Sequence, residues 1–349
     1  MQMTFRWYGP DDPVTLAEIR QVPGVTGIVS ALHNVPVGTV WTSEAIAARR
    51  QQIEDAGLTW SVVESIPVHE DIKLGRPARD ALIEQYGRSI EHVGAQGIGV
   101  VCYNFMPVFD WMRTDLDYAL PDGSTALAYD HDAHDAIDLS EGTGDRPAWV
   151  TYDADELADL RAAYRGVDDA ALWDHLGYFL ERVVPIAEAA GVKLAIHPDD
   201  PPWPIFGLPR IITSGDALDR VTRLVESPAN GVTLCTGSLG ADPSCDLPAI
   251  ARRLGPKVHF AHLRNVAITG EKQFHESPHP QGRVDLAQVL RALHESGFDG
   301  PVRPDHGRMI WGETGRPGYG LYDRALGATY LMGIWNALRQ EERPAAAPA

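Results

Sequence analysis

The chain has 349 residues, 44% of them hydrophobic and 22% charged, an ordinary globular composition with room for one large α/β barrel or two smaller domains. Lys plus Arg number 30 against 48 Asp plus Glu, and the net charge of −18 argues against nucleic acid and membranes as partners, since both present negative charge. Three cysteines are too few and odd in number for a disulfide framework, no basic and apolar leader opens the chain, and no run nears the roughly 20 apolar residues of a membrane helix, so a cytoplasmic protein is expected.

In chain order, short apolar runs predict buried strands over residues 4–8, 25–32, 59–66, 97–105, 192–197, 231–236, 257–265 and 301–305. They lack clean alternation, as strands covered on both faces do. Helical patterns lie between most of them, over residues 42–56, 79–94, 170–190, 214–226, 247–254 and 284–296, several closed by Gly. This alternation predicts a single (β/α)8 TIM barrel over residues 1–349. Residues 106–169, after the fourth strand, are too long for a simple connection and include an Asp/His-rich run at 129–135. An insertion there is expected to cover the active-site face. Residues 343–349 (RPAAAPA) predict a frayed tail, and the chain is expected to form a homo-oligomer.

The last four strands each finish on a residue able to bind a metal. KLAIH ends on His197, VTLC on Cys235, VHFAH on His262 and VRPD on Asp305. The C-terminal edge of barrel strands is the rim where barrel active sites are assembled. One buried His or Cys alone is more often a core residue. Four at equivalent strand ends predict a divalent cation, which would also keep the thiol ionised. Arg264 follows His262 by two and falls on the same side if the strand continues. It either clamps a substrate carboxylate or makes an ion pair at the rim. Trp7, Tyr8, His33, Asn34, Glu64 and Asn104 stand at other strand ends and divide between pocket and packing. The cluster His275-Glu276…His279 falls in the loop expected after the seventh strand, within reach of the pocket. Of these, Asn104, Trp7, His33 and His275 join Arg264 as expected substrate-binding residues, and Cys102 and Cys245 are given no role.

The strings around these residues carry a resemblance. FRWYGPDDPVTL, VCYNFMPVFDW, AIHPDDPPWPIFGLPRI, CTGSLG, HFAHLRN, FHE, RPDHG and PGY span nearly the whole chain. Together they resemble the mannonate dehydratase family of the xylose-isomerase-like barrel superfamily. The resemblance implies Mn²⁺ or Fe²⁺ on His197, Cys235, His262 and Asp305, although the donor set by itself suits Zn²⁺ at least as well. It also implies loss of water from D-mannonate to give 2-dehydro-3-deoxy-D-gluconate, within hexuronate breakdown. Such a reaction needs a base at C2 and an acid at the departing C3 hydroxyl. His306, directly after Asp305, is the candidate nearer C2. Tyr319, in the PGY string, is the candidate nearer the leaving hydroxyl, with Tyr322 as a substitute. His306 as a partner of the metal, and Tyr319 as a binding or packing residue, are the plainer alternatives. A sugar-acid isomerase or epimerase on the same barrel, or a non-catalytic sugar-acid sensor, are the rival functions.

Overall fold

Val100–Tyr103 (VVCY), Asn230–Cys235 (NGVTLC) and Val258–His262 (VHFAH) expose no side chain on either face, and this is what forces them into the middle of a parallel sheet. The computed structural model describes residues 1–142 and 152–341; the tail expected at 343–349 lies outside them. In chain order the strands are β1 (Gln2–Arg6), β2 (Val25–Ser30), β3 (Thr59–Glu64), β4 (Val100–Tyr103), β5 (Asp115–Ala119) and β6 (Thr125–Asp130). They continue with β7 (Lys193–Ile196), β8 (Asn230–Cys235), β9 (Val258–His262), β10 (Asn265–Gly270), β11 (Gln273–Ser277) and β12 (Pro301–Arg303). A closed parallel barrel runs β1-β12-β9-β8-β7-β4-β3-β2, as the sequence predicts.

A helix follows each barrel strand: α1 (Leu16–Ile19), α2 (Ser43–Asp55), α3 (Arg79–Ala95), α4 (Asp169–Ala189), α5 (Gly215–Leu224), α6 (Leu247–Leu254), α7 (Leu286–Glu295) and α8 (Tyr322–Glu341). Their starts follow capping chemistry. Thr42 accepts from Ala45 N at the start of α2, and Asp246 caps α6, with Pro248 in its first turn. Helix α8 was not anticipated, because Gly327 and Gly333 interrupt a helical pattern already weak in the sequence. Its Ala328, Leu331, Trp335 and Leu338 are buried, so tertiary packing stabilises it. Among the described residues no helix is long and apolar enough to cross a membrane.

The largest departure from expectation lies above the barrel. β5 and β6, from the insertion, join β10 and β11, which follow the seventh barrel strand, in one antiparallel sheet ordered β10-β11-β6-β5. The single strand expected over 257–265 is therefore two: β9 ends at His262 and β10 starts at Asn265. His275 and Glu276 lie in β11, not in a loop. Local patterns cannot reveal this sheet, since β6 and β11 pair across a long separation in the chain. Under it Phe109, Met112, Tyr129, Leu157, Trp203 and Phe274 form a second apolar core that ties the insertion to the loop after β7.

Candidate active site

The barrel register sets the donors side by side. Cys235 is paired with His262, and His262 with Arg303, while Glu64 is paired with Cys102. Beyond the strand ends the chain adds His197 after β7 and Asp305 after β12. Asp305 has a φ of 64°, left-handed backbone that Asp tolerates better than bulkier residues.

The four expected metal ligands come together. His197 Nε2 lies 3.0 Å from His262 Nδ1, and one donor atom each of His197, Cys235 and His262 fall within 4.8 Å of one another. Asp305 Oδ2 is 3.8 Å from Cys235 Sγ and 3.9 Å from His262 Nδ1. The outer nitrogens are oriented too: His197 Nδ1 is 2.6 Å from the carbonyl of Pro198, and His262 Nε2 faces Glu64 Oε2 at 3.5 Å. Such outer contacts fix which ring nitrogen offers its lone pair.

Electrostatics fit a cation at this point. Burial pushes the Cys235 thiol up, but Arg264 and His197 outweigh it and hold the thiol well below its ordinary value. Burial lowers His197, yet the Cys235 sulfur beside it raises the ring to about 9. Burial likewise opposes ionisation of Asp305, and Arg303, His306 and Arg264 reverse that. A thiolate, a carboxylate and two facing imidazole nitrogens in one buried cluster call for positive charge. A divalent ion supplies it in place of ring protons. The residues present therefore fit a divalent cation.

Arg264 does not stand open as a clamp. It donates from Nη1 to Asp305 Oδ2 at 2.6 Å and from Nη2 to Asp200 Oδ2 at 2.7 Å, buried at 2% exposure. The contacts make it a holder of Asp305, the rim ion pair foreseen as its plainer reading. Gly237, in the CTGSLG string, leaves room for it: a Cβ there would sit 1.9 Å from Arg264 Nε. Arg113 extends the network, bonding both oxygens of Asp200 at 2.9 and 3.0 Å and Glu276 at 3.0 Å. Arg303 spans Glu64 Oε1 at 2.9 Å and Asp305 Oδ1 at 2.8 Å, while its Nη1 and Nε make no hydrogen bond.

His306 and Tyr319 are in contact. His306 Nε2 lies 2.7 Å from the Tyr319 hydroxyl, and His306 Nδ1 lies 2.6 Å from Glu276 Oε1. Burial raises Glu276, but His306, Arg264 and Arg113 together bring it below its ordinary value. An ionised carboxylate only accepts, so Nδ1 donates and Nε2 carries the lone pair. Burial, reinforced by Tyr8, raises Tyr319 well above its ordinary value despite Arg303, so its hydroxyl keeps its proton. Trp111 from the insertion lies 5.2 Å from the His306 ring, centre to centre.

His197, Arg264, Arg303, Asp305, His306 and Tyr319 line one small cleft at the strand ends. Asn104 lines it, as expected, with Ser65, Asp110 and Trp111. Three expected residues do not. Trp7 points away from the cleft under Arg49, and the next residue, Tyr8, takes the place. His33 packs behind Tyr8, ring centres 5.3 Å apart, where burial lowers it to about 3. His275 faces the opposite side of β11 from Glu276 and stacks on Tyr118. Arg303 and Trp111 went unassigned in the sequence, and Glu276 appeared only within the cluster expected near the pocket. For Glu276 a signal existed in FHE, since alternation along a strand would have selected one of its two polar neighbours.

Comparison with known proteins agrees along the whole chain. A family profile described as D-mannonate dehydratase (UxuA) matches residues 1–345. The mannonate dehydratase of Streptococcus uberis is 54% identical over 343 residues, covering 97% of this chain and 99% of that protein. The crystal structure of mannonate dehydratase from Streptococcus suis serotype 2 superposes with a TM-score of 0.91 at 48% identity, covering 98% of this chain and 95% of that one. A xylose isomerase-like TIM barrel protein from Mycobacterium smegmatis, 17% identical with a TM-score of 0.59 over 93% of this chain and 87% of that one, shares the fold.

Proposed function

The chain belongs to the D-mannonate dehydratase family, and from that premise we propose how its own residues carry out the reaction. The enzyme is a hydro-lyase that converts D-mannonate to 2-dehydro-3-deoxy-D-gluconate and water in hexuronate catabolism. His197, Cys235, His262 and Asp305 hold one divalent ion, Mn²⁺ or Fe²⁺. When bound, the ion supplies Lewis-acid stabilisation of the charge that develops beside the substrate carboxylate.

The protein side chains move the protons. His306 Nε2, its lone pair fixed by Glu276 on the far nitrogen, takes the proton from C2. The electron pair of that C–H bond becomes the C2–C3 double bond, and the C3–O pair leaves with the hydroxyl. Tyr319 gives that oxygen its proton, so water departs and not hydroxide. The 2.7 Å contact then returns the proton from His306 to the Tyr319 oxygen, which restores both groups. The enol product tautomerises to the 2-keto acid. Arg303, with donors to spare beside the cleft, is the cation we assign to a substrate oxygen. Arg264 orients Asp305, and Trp111 and Asn104 complete the walls.

The observation that carries this reading is the His306–Tyr319 pair, with a lone pair on one and a retained proton on the other, in a cleft beside four metal donors. Its test is product analysis with Mn²⁺-loaded protein and D-mannonate. Loss of one water with appearance of a 2-keto-3-deoxy acid is expected. An isomer of unchanged mass indicates an isomerase or epimerase, and unchanged D-mannonate indicates a sensor.

A further inference from the structure

The Asp/His-rich run at 129–135 takes no part in the chemistry above. β6 ends at Asp130, whose Oδ1 accepts from Asp132 N at 2.9 Å and Ala133 N at 3.3 Å and so caps a short helix over His131–Asp135. His131, His134 and Asp135 occupy positions i, i+3 and i+4 of that turn and share one face. His134 Nδ1 lies 2.9 Å from Asp135 Oδ1, and His131 Nε2 lies 4.0 Å from the same oxygen. One donor atom of each residue falls within 4.8 Å of the others.

Two further observations point to a ligand. His134 is only 2% exposed and turns Nδ1, not its unpartnered Nε2, toward Asp135, and its ring lines the same open pocket as His131 and Asp135. His131 is held from behind, with Nδ1 at 2.8 Å from the Tyr129 hydroxyl. The Tyr129 oxygen also accepts from Trp203 Nε1 at 3.3 Å. His131 Nε2 is the ring nitrogen that faces Asp135.

We propose that His131, His134 and Asp135 form a second divalent-cation site, separate from the active site. Two imidazoles and one carboxylate favour a borderline ion such as Zn²⁺ or Ni²⁺ over Mg²⁺ or Ca²⁺, which need more oxygen donors. Donors at about 2.0–2.2 Å from Zn²⁺ stand roughly 3–3.5 Å apart, and the 2.9 and 4.0 Å separations bracket that range. Asp135, 65% exposed, closes the difference by rotating its side chain. Water from the open pocket fills the remaining positions. Through Tyr129 and Trp203 the ion braces the insertion against the loop that follows His197, and it touches no reacting group.

The test is to strip the full-length protein with chelator and titrate it with Zn²⁺ alone. Two ions per chain are expected in the wild type. One is expected in His131→Gln and in Asp135→Asn, both at accessible positions, with circular dichroism and D-mannonate turnover unchanged. His134→Asn is expected to act alike, but its buried position makes the other two decisive. Loading with Co²⁺ separates the sites: the thiolate site gives a sulfur-to-metal absorption band, and the second site adds Co²⁺ without adding to that band. A single ion per chain in the wild type that is lost in Cys235→Ala would overturn the proposal. So would two ions retained in the His131→Gln, Asp135→Asn double variant.

Discussion

Glu276 Oε1 lies 2.6 Å from His306 Nδ1, on the side of the ring away from the Tyr319 hydroxyl. The carboxylate therefore decides which ring nitrogen is open to act as the proposed base. Glu276→Gln can donate as well as accept at that point, so the tautomer is no longer fixed. The expected result is a fall in kcat of about 10²–10⁴ with KM and metal content unchanged. Steady-state kinetics with elemental analysis check this. A kcat within about threefold of wild type would show that His306 is oriented by something else.

Tyr319→Phe removes the proposed acid and leaves the base. Turnover should fall by about 10²–10⁴ while the C2 proton of D-mannonate still exchanges in deuterium oxide. His306→Asn should lose both exchange and turnover. The pH dependence carries a sign as well. Burial raises the Tyr319 pKa, so the hydroxyl stays protonated as pH rises and is lost only above its ordinary value of about 10. The wild-type profile should show no loss of kcat from this group below about pH 10. A basic limb near neutrality that disappears in Tyr319→Phe contradicts the assignment.

Gly237→Ala tests the support behind Asp305. The new methyl collides with Arg264, which two carboxylates hold in place, so Arg264 must shift or the short turn after β8 must move. Asp305 then loses an orienting donor, and affinity for Mn²⁺ should weaken by about 10–100-fold. Metal titration of the stripped protein provides the measurement. Wild-type affinity would mean that Arg264 has no part in holding Asp305.

Cys235→Ala should bind one divalent ion fewer per chain than wild type and lose turnover, with the barrel still folded by circular dichroism. Cys235 lies at the end of β8 and belongs to none of the apolar core clusters. Its contacts are to Ser238 and Asp305, with the two imidazoles beside it. Full occupancy of the site in this variant would remove Cys235 from the ligand set.

The barrel and the convergence of the candidate metal donors were legible in the sequence for one reason. In a parallel barrel every strand ends at the same rim, so a residue's position along its own strand already gives its place in the site. His197, Cys235, His262 and Asp305 needed only the ends of four apolar runs, and His306 follows from its neighbour. Helix α8 and the sheet of β5, β6, β10 and β11 were not legible, because packing and long-range pairing stabilise them and neither leaves a strong local period. The same limit governs side-chain roles. Only the tertiary structure decides that Arg264 faces Asp200 and Asp305, that Glu276 and not His275 turns toward His306, and that Tyr8 displaces Trp7 at the cleft. Each choice depends on partners brought from distant segments, and a sequence names residues without stating which of them meet.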